Sequence, residues 1–173
     1  MMHTAENVVL VNENDQETGQ MEKLEAHRLG LLHRAISVFV FNSRGELLIH
    51  RRALEKYHSG GLWTNTCCSH PRPGESTAHA AVRRLREEMG LECELTSQFQ
   101  FIYRAELDHN LVEHELDHVF TGTSDTNPQP DPAEVMDWKW ISRHELQTQL
   151  ANEPEKFTAW FKIIAERAFA QLV

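Results

Sequence analysis

Short runs of alternating apolar and polar residues recur along the chain and set the expected elements. Val8–Val11 is a brief β-branched run, and Ala35–Phe41 and Glu46–Arg51 are strand-like. The last two flank Asn42-Ser-Arg-Gly45, so they predict a hairpin with a glycine-containing turn. Gln98–Ala105 and Val112–Thr121 alternate as strands joined through Asp108-His-Asn110, and Met136–Ile141 alternates again. Over Thr77–Met89 the period changes: Ala78, Ala81, Val82, Leu85 and Met89 recur at three- and four-residue spacing, which predicts a helix stopped by Gly90. Glu75 and Ser76 stand where a cap and a favourable first-turn charge belong. Ser142-Arg-His-Glu145 reads as a capping box opening a short helix. From Pro154 to Leu172, Phe157, Trp160, Phe161, Ile164, Ala168 and Leu172 fall on one helical face. Strands interrupted by one middle helix and closed by C-terminal helices predict an α+β domain with α/β/α layering.

The 173 residues, 40% hydrophobic, suffice for one core, so residues 1–173 are read as a single domain. Asn127-Pro-Gln-Pro-Asp-Pro132 is a surface loop by this reading, since too little chain follows it to fold alone. No apolar run approaches the roughly 20 residues needed to cross a bilayer. Met1-Met-His-Thr-Ala-Glu6 lacks the basic-then-apolar order of a secretory signal. Three cysteines, two of them adjacent at Cys67 and Cys68, make no disulfide framework, so the expected compartment is the reducing cytoplasm. Lys and Arg number 17 against 26 Asp and Glu, and a net charge of −9 argues against a nucleic-acid partner. It leaves room for a small anion, because a local basic cluster or a bound metal reverses the field within one pocket.

Three groups of residues carry candidate chemistry. Glu113 and Glu115, two apart in a strand, project from one face with Asp117 next in line. Paired carboxylates repel unless a cation lies between them, and His27, His33 and His70 supply imidazoles that with carboxylates suit zinc or manganese. The histidines are dispersed, so spacing alone does not assemble them, and a solvated strand face is the plainer reading of Glu-x-Glu. Cys68 and His70 share a face if Asn65–His70 is extended, with Cys67 and Ser69 turned away. A free cysteine is most often a small buried hydrophobe, yet a thiol beside a carboxylate gives and takes protons. In the helix, Arg83 precedes Glu87 and Arg84 precedes Glu88 by four residues, a spacing that pairs charges along one face.

That helix and its approach loop resemble a Nudix box, with Glu75, Arg83, Leu85, Glu87, Glu88, Gly90 and Leu91 in register. Ser69 replaces the opening glycine, and Arg84 stands where the box has a glutamate that helps hold hydrolytic magnesium. The degenerate box follows Trp63-Thr-Asn-Thr-Cys-Cys-Ser-His-Pro71. With Val9–Glu13, Thr18-Gly19, Lys23, His27, Arg51–Leu54, Tyr103–Ala105, Glu113-His-Glu115 and Glu134–Trp138, this resembles the type I isopentenyl-diphosphate isomerase family over most of the chain. Gly60-Gly61 replaces a Pro-Gly pair common in that family.

The resemblance implies a Nudix-like mixed sheet with flanking helices, an added N-terminal strand and helical segment, and C-terminal helices. It implies conversion of isopentenyl diphosphate to dimethylallyl diphosphate in isoprenoid biosynthesis, through protonation and deprotonation around a tertiary carbocation. Cys68 and Glu115 would be the acid/base pair, Tyr103 would position the carboxylate, and Trp160 would shield the cation. His27, His33, His70, Glu113 and Glu115 would form one metal site, taking manganese or zinc. Glu88 would ligate a magnesium ion that meets the diphosphate, and Lys23, Arg52, Lys56, Ser69 and Arg84 would line the diphosphate pocket. Two other readings remain: a Nudix hydrolase, disfavoured by Arg84, and a non-catalytic metal- or prenyl-binding module, disfavoured by Cys68.

Overall fold

The computed structural model describes residues 6–171, with side chains as far as residue 168. Met1–Ala5 and Leu172, which figure in the expectations above, lie outside the described residues. The strands are β1 (Asn7–Val11), β2 (Glu17–Glu22), β3 (His33–Phe41), β4 (Leu47–Arg52), β5 (Trp63–Thr64), β6 (Cys67–Ser69), β7 (Leu95–Glu106), β8 (Val112–Thr123) and β9 (Val135–Ile141). The helices are α1 (Lys23–Leu29), α2 (Thr77–Met89), α3 (Arg143–Asn152) and α4 (Ala159–Gln171). All nine strands join one mixed sheet, which with its helices makes the α+β class expected.

β3 is the hub. It runs parallel to β8 from His33↔Glu115 to Phe41↔Thr123, and antiparallel to β6 at Ile36↔Ser69, Ser37↔Cys68 and Val38↔Cys67. The expected β3–β4 hairpin is only one pair deep, Phe41↔Leu47, because β4 turns away to pair with β9. Its turn forms as anticipated: the Asn42 carboxamide oxygen accepts from the Arg44 and Glu46 amides, and Gly45 takes a positive φ.

Strand alternation gives the sheet two apolar faces. Ile36, Val38, Val40, Leu48, Cys67 and Phe120 pack under α2 through Ala80, Ala81, Leu85 and Met89. Phe39, Ile49, Phe101, Tyr103 and Val119 pack under α4 through Trp160, Phe161, Ile164, Ala165 and Ala168. The buried stripe of α2 differs from the expected one: Ala78 and Val82 face solvent, and Glu88 lies on the buried side. Ser76 caps α2 by accepting from the His79 amide, and Gly90 ends it at φ +61. A Cβ on Gly90 would stand 2.4 Å from the Gln129 carbonyl oxygen, so no side chain fits there. Glu75 is not a first-turn charge; it binds Arg83, His79 and the Arg72 amide.

The C-terminal helix begins at Ala159, not Pro154. Pro154–Lys156 forms a separate 3-10 turn, and Phe157 is buried ahead of the helix, bridged to Trp63. Ser142 caps α3 through the Glu145 amide, while the Glu145 carboxylate accepts from Gln149. Among the described residues, no helix is long and apolar enough to cross a membrane.

Candidate active site

β6 divides the site by its alternation. Cys68 projects toward the α4 face and Ser69 toward α2, where its hydroxyl accepts from Arg84 Nε at 2.9 Å. His70 follows, about 7 Å along the chain from Cys68.

On the α4 face, His27, His33, His70 and Glu115 bring one donor atom each within 4.8 Å of one another. α1 delivers His27, with a Glu22 cap at its start and Gly30 in the left-handed conformation at its end. His27 Nδ1 lies 2.7 Å from the Lys23 carbonyl and His33 Nδ1 lies 2.9 Å from that of Leu31. A carbonyl only accepts, so both Nδ1 atoms carry hydrogen, and the Nε2 of each ring faces the other donors of the cluster. His27 Nε2 is buried with no protein partner. Burial holds His27 below the usual histidine range and brings His70 down to about 4. Burial opposes ionisation of Glu115, yet hydrogen bonds from His33 and His70 hold its carboxyl well below the ordinary value. Glu113 stands outside this four-residue cluster but beside it; burial and the neighbouring Glu115 push its carboxyl well up. Three imidazoles and a carboxylate, one imidazole nitrogen of which has no protein partner, fit a divalent cation.

Tyr103 donates its hydroxyl to Glu115 Oε2 at 2.9 Å, from the register pair Tyr103↔Glu115 of β7 and β8. Cys68 is held by three partners. Its thiol donates to Asn65 Oδ1 at 2.8 Å, Ser37 Oγ lies at 3.6 Å, and Trp160 Nε1 donates to the sulfur at 3.2 Å. Asn65 cannot flip, because its amide nitrogen already donates to the Val38 and Cys67 carbonyls. Burial pushes the Cys68 thiol up, so it stays protonated at neutral pH. Ser37 also donates to Asp117 Oδ2 at 2.7 Å, which makes Asp117 a buried acid behind the thiol that spacing suggested only as the next strand position.

Trp160 is 2% exposed and closes over Cys68. The Arg52 guanidinium lies 5.0 Å from the indole centroid, and His58 meets the same ring edge-on at 5.4 Å. Plain alternation would send Arg52 to the face of Leu48; the register shift between Arg51 and Arg52 changes that direction.

Adjoining the cluster through His70, a cavity of about 350 Å³ is lined by Lys23, Ser69, His70, Arg72, Arg83 and Arg84. Arg84 is paired with Glu87 and Glu88 at 2.5 Å each, and these carboxylates keep it charged against burial. Of the five residues expected in a diphosphate pocket, Lys23, Ser69 and Arg84 line this cavity and Arg52 and Lys56 do not. Lys56 is paired with Glu134. Glu88, expected at a magnesium, has one oxygen on Arg84 and is absent from the cavity wall. Arg72, Tyr57 and His58 carried no motif and were missed by spacing.

Residues 31–161 match the NUDIX domain family, and the sheet and helices place the chain among Nudix-fold proteins. A solved Deinococcus radiodurans protein superposes with a TM-score of 0.80 at 23% identity, covering 94% of this chain and 98% of that one. A MutT protein from Methanosarcina mazei superposes at 0.64, with 21% identity over 79% of this chain and 91% of its own. These likenesses concern the fold alone. The isopentenyl-diphosphate Delta-isomerase of Pectobacterium atrosepticum is 58% identical over 160 residues, 92% of this chain and 89% of the relative. Isopentenyl-diphosphate Delta-isomerase 1 of Aromatoleum aromaticum is 53% identical over 163 residues, 94% and 92% of the two chains. The chain belongs to the isopentenyl-diphosphate Delta-isomerase family.

Proposed function

We propose that this protein moves the double bond of isopentenyl diphosphate to give dimethylallyl diphosphate, as one cytosolic domain. The observation that carries the reading is the meeting of Cys68, Trp160, Tyr103 and Glu115 on one sheet face beside a basic cavity. An unactivated alkene is a very weak base. Adding a proton to its terminal carbon leaves a tertiary cation that water would capture, and removing one from the neighbouring methylene completes the shift. Cys68 and Glu115 are the pair that gives and takes these protons, and Tyr103 orients Glu115. Trp160 excludes water, and its face stabilises the cation by up to ~2 kcal/mol when desolvated. The Arg52 guanidinium now covers that face, so substrate must displace it, and a diphosphate is an anion suited to draw it off.

His27, His33, His70 and Glu115, with Glu113 alongside, would hold manganese or zinc, whose charge allows two carboxylates to stand together. Glu88 offers magnesium a single carboxylate already paired with Arg84, so further oxygens would come from diphosphate and water.

Incubation with isopentenyl diphosphate should yield dimethylallyl diphosphate with no phosphate release. Phosphate released from nucleoside diphosphate derivatives, without isomerisation, would favour the hydrolase reading instead. Lys23 gives the cleanest test of the anion pocket, since replacing Arg84 would also leave the buried Glu88 carboxylate unpaired. Lys23→Met should raise KM about tenfold, the scale of one charge-assisted hydrogen bond, with a smaller change in kcat. An unchanged KM would remove Lys23 from the pocket.

A further inference from the structure

The loop after β4, residues 53–62, folds back on itself with little room to spare. A Cβ on Gly60 would meet the Leu54 carbonyl oxygen at 2.4 Å, and the Asp108 carboxylate accepts from the amide of Ser59, whose φ is +55. The loop thereby presents Tyr57 to three groups of the site. Lys23 Nζ from α1 lies 4.9 Å from the Tyr57 ring centroid, and Lys56 Nζ lies 5.8 Å from it. The ring meets His27 edge-on at 5.9 Å. The two ammonium groups are 33 positions apart in sequence and repel each other, and Glu6 and Glu134 bind them individually.

We infer that Tyr57 is a positioning residue for the diphosphate end of the substrate, its ring holding Lys23 and Lys56 together as one anion-binding pair beside the His27 cluster. The inference rests on the diphosphate reading above and adds to it the group that organises the lysines. An aromatic face attracts ammonium ions without neutralising them, so the ring keeps both lysines in place while a phosphate exchanges for Glu6 and Glu134 as their anionic partner. Burial keeps the phenol un-ionised, pushing it well above its ordinary value. The ring and not the hydroxyl does the positioning, which separates phenylalanine from aliphatic replacements.

Titration calorimetry with inorganic pyrophosphate in magnesium chloride, on full-length protein, tests this. Tyr57→Phe should bind within about twofold of the parent. Tyr57→Leu should bind about tenfold more weakly, a change of ~1.4 kcal/mol, with KM for isopentenyl diphosphate rising in parallel and kcat holding within about threefold. Should the leucine variant fail to fold, Tyr57→Met fills similar space without a ring face and should show the same loss. Parent-like pyrophosphate affinity in the folded aliphatic variant, or equal losses in Phe and Leu, would overturn the inference. Failure of the parent protein itself to bind pyrophosphate would instead sink the diphosphate reading beneath it.

Discussion

Cys68→Ala should lower kcat for isomerisation by about 10³-fold while leaving the protein folded and its metal content unchanged. The thiol is the only proton-bearing group of its side chain, and its neighbours cannot replace it. Asn65 presents an oxygen acceptor fixed by two backbone carbonyls, Ser37 already donates to Asp117, and Trp160 is a donor with no exchangeable acid of suitable strength. The stability cost should be about 1 kcal/mol, that of one hydrogen bond lost with a small side chain. Steady-state turnover, a thermal melt and metal analysis of the same preparation check all three statements. Turnover within tenfold of the parent would remove Cys68 from the reaction.

Glu115→Gln should have the larger combined effect, with kcat down by 10³-fold or more and the divalent cation bound at least tenfold more weakly. Glutamine keeps the size of the side chain and an oxygen for the Tyr103 hydroxyl, so the β7–β8 pairing survives. It loses the charge that His33 and His70 hold in place, and with it both the base and one metal donor. Tyr103→Phe is the informative comparison, because it removes the orienting hydrogen bond but no donor atom. Full metal content in Glu115→Gln, measured after gel filtration, would separate Glu115 from the cation site.

The local parts of this site were legible in the sequence and its assembly was not. Period-two spacing put Glu113, Glu115 and Asp117 on one face of β8, and the cap at Ser76 and stop at Gly90 bounded α2, because these are properties of neighbouring residues. The histidine cluster depends on β3 being flanked by β8 and β6, a long-range pairing that no spacing encodes, and the resemblance supplied it first. Arg52 escaped alternation through a register shift, and Phe157 escaped helical periodicity because the chain turns before α4 starts. In α2, Glu88 is buried and paired with Arg84, so burial at that position follows charge pairing and not hydropathy. Tyr57 and His58 had no pattern to mark them, and only the folded-back loop reveals what they touch.

Isomerisation in heavy water, followed by NMR of both the recovered substrate and the product, tests the paired proton transfer most directly. With Cys68 and Glu115 both intact, solvent deuterium should enter the newly formed methyl group at a rate tied to turnover, and the Cys68→Ala and Glu115→Gln proteins should incorporate almost none. Product formed at the parent rate with no solvent label at that carbon, or label entering equally fast in both variants, would contradict the account.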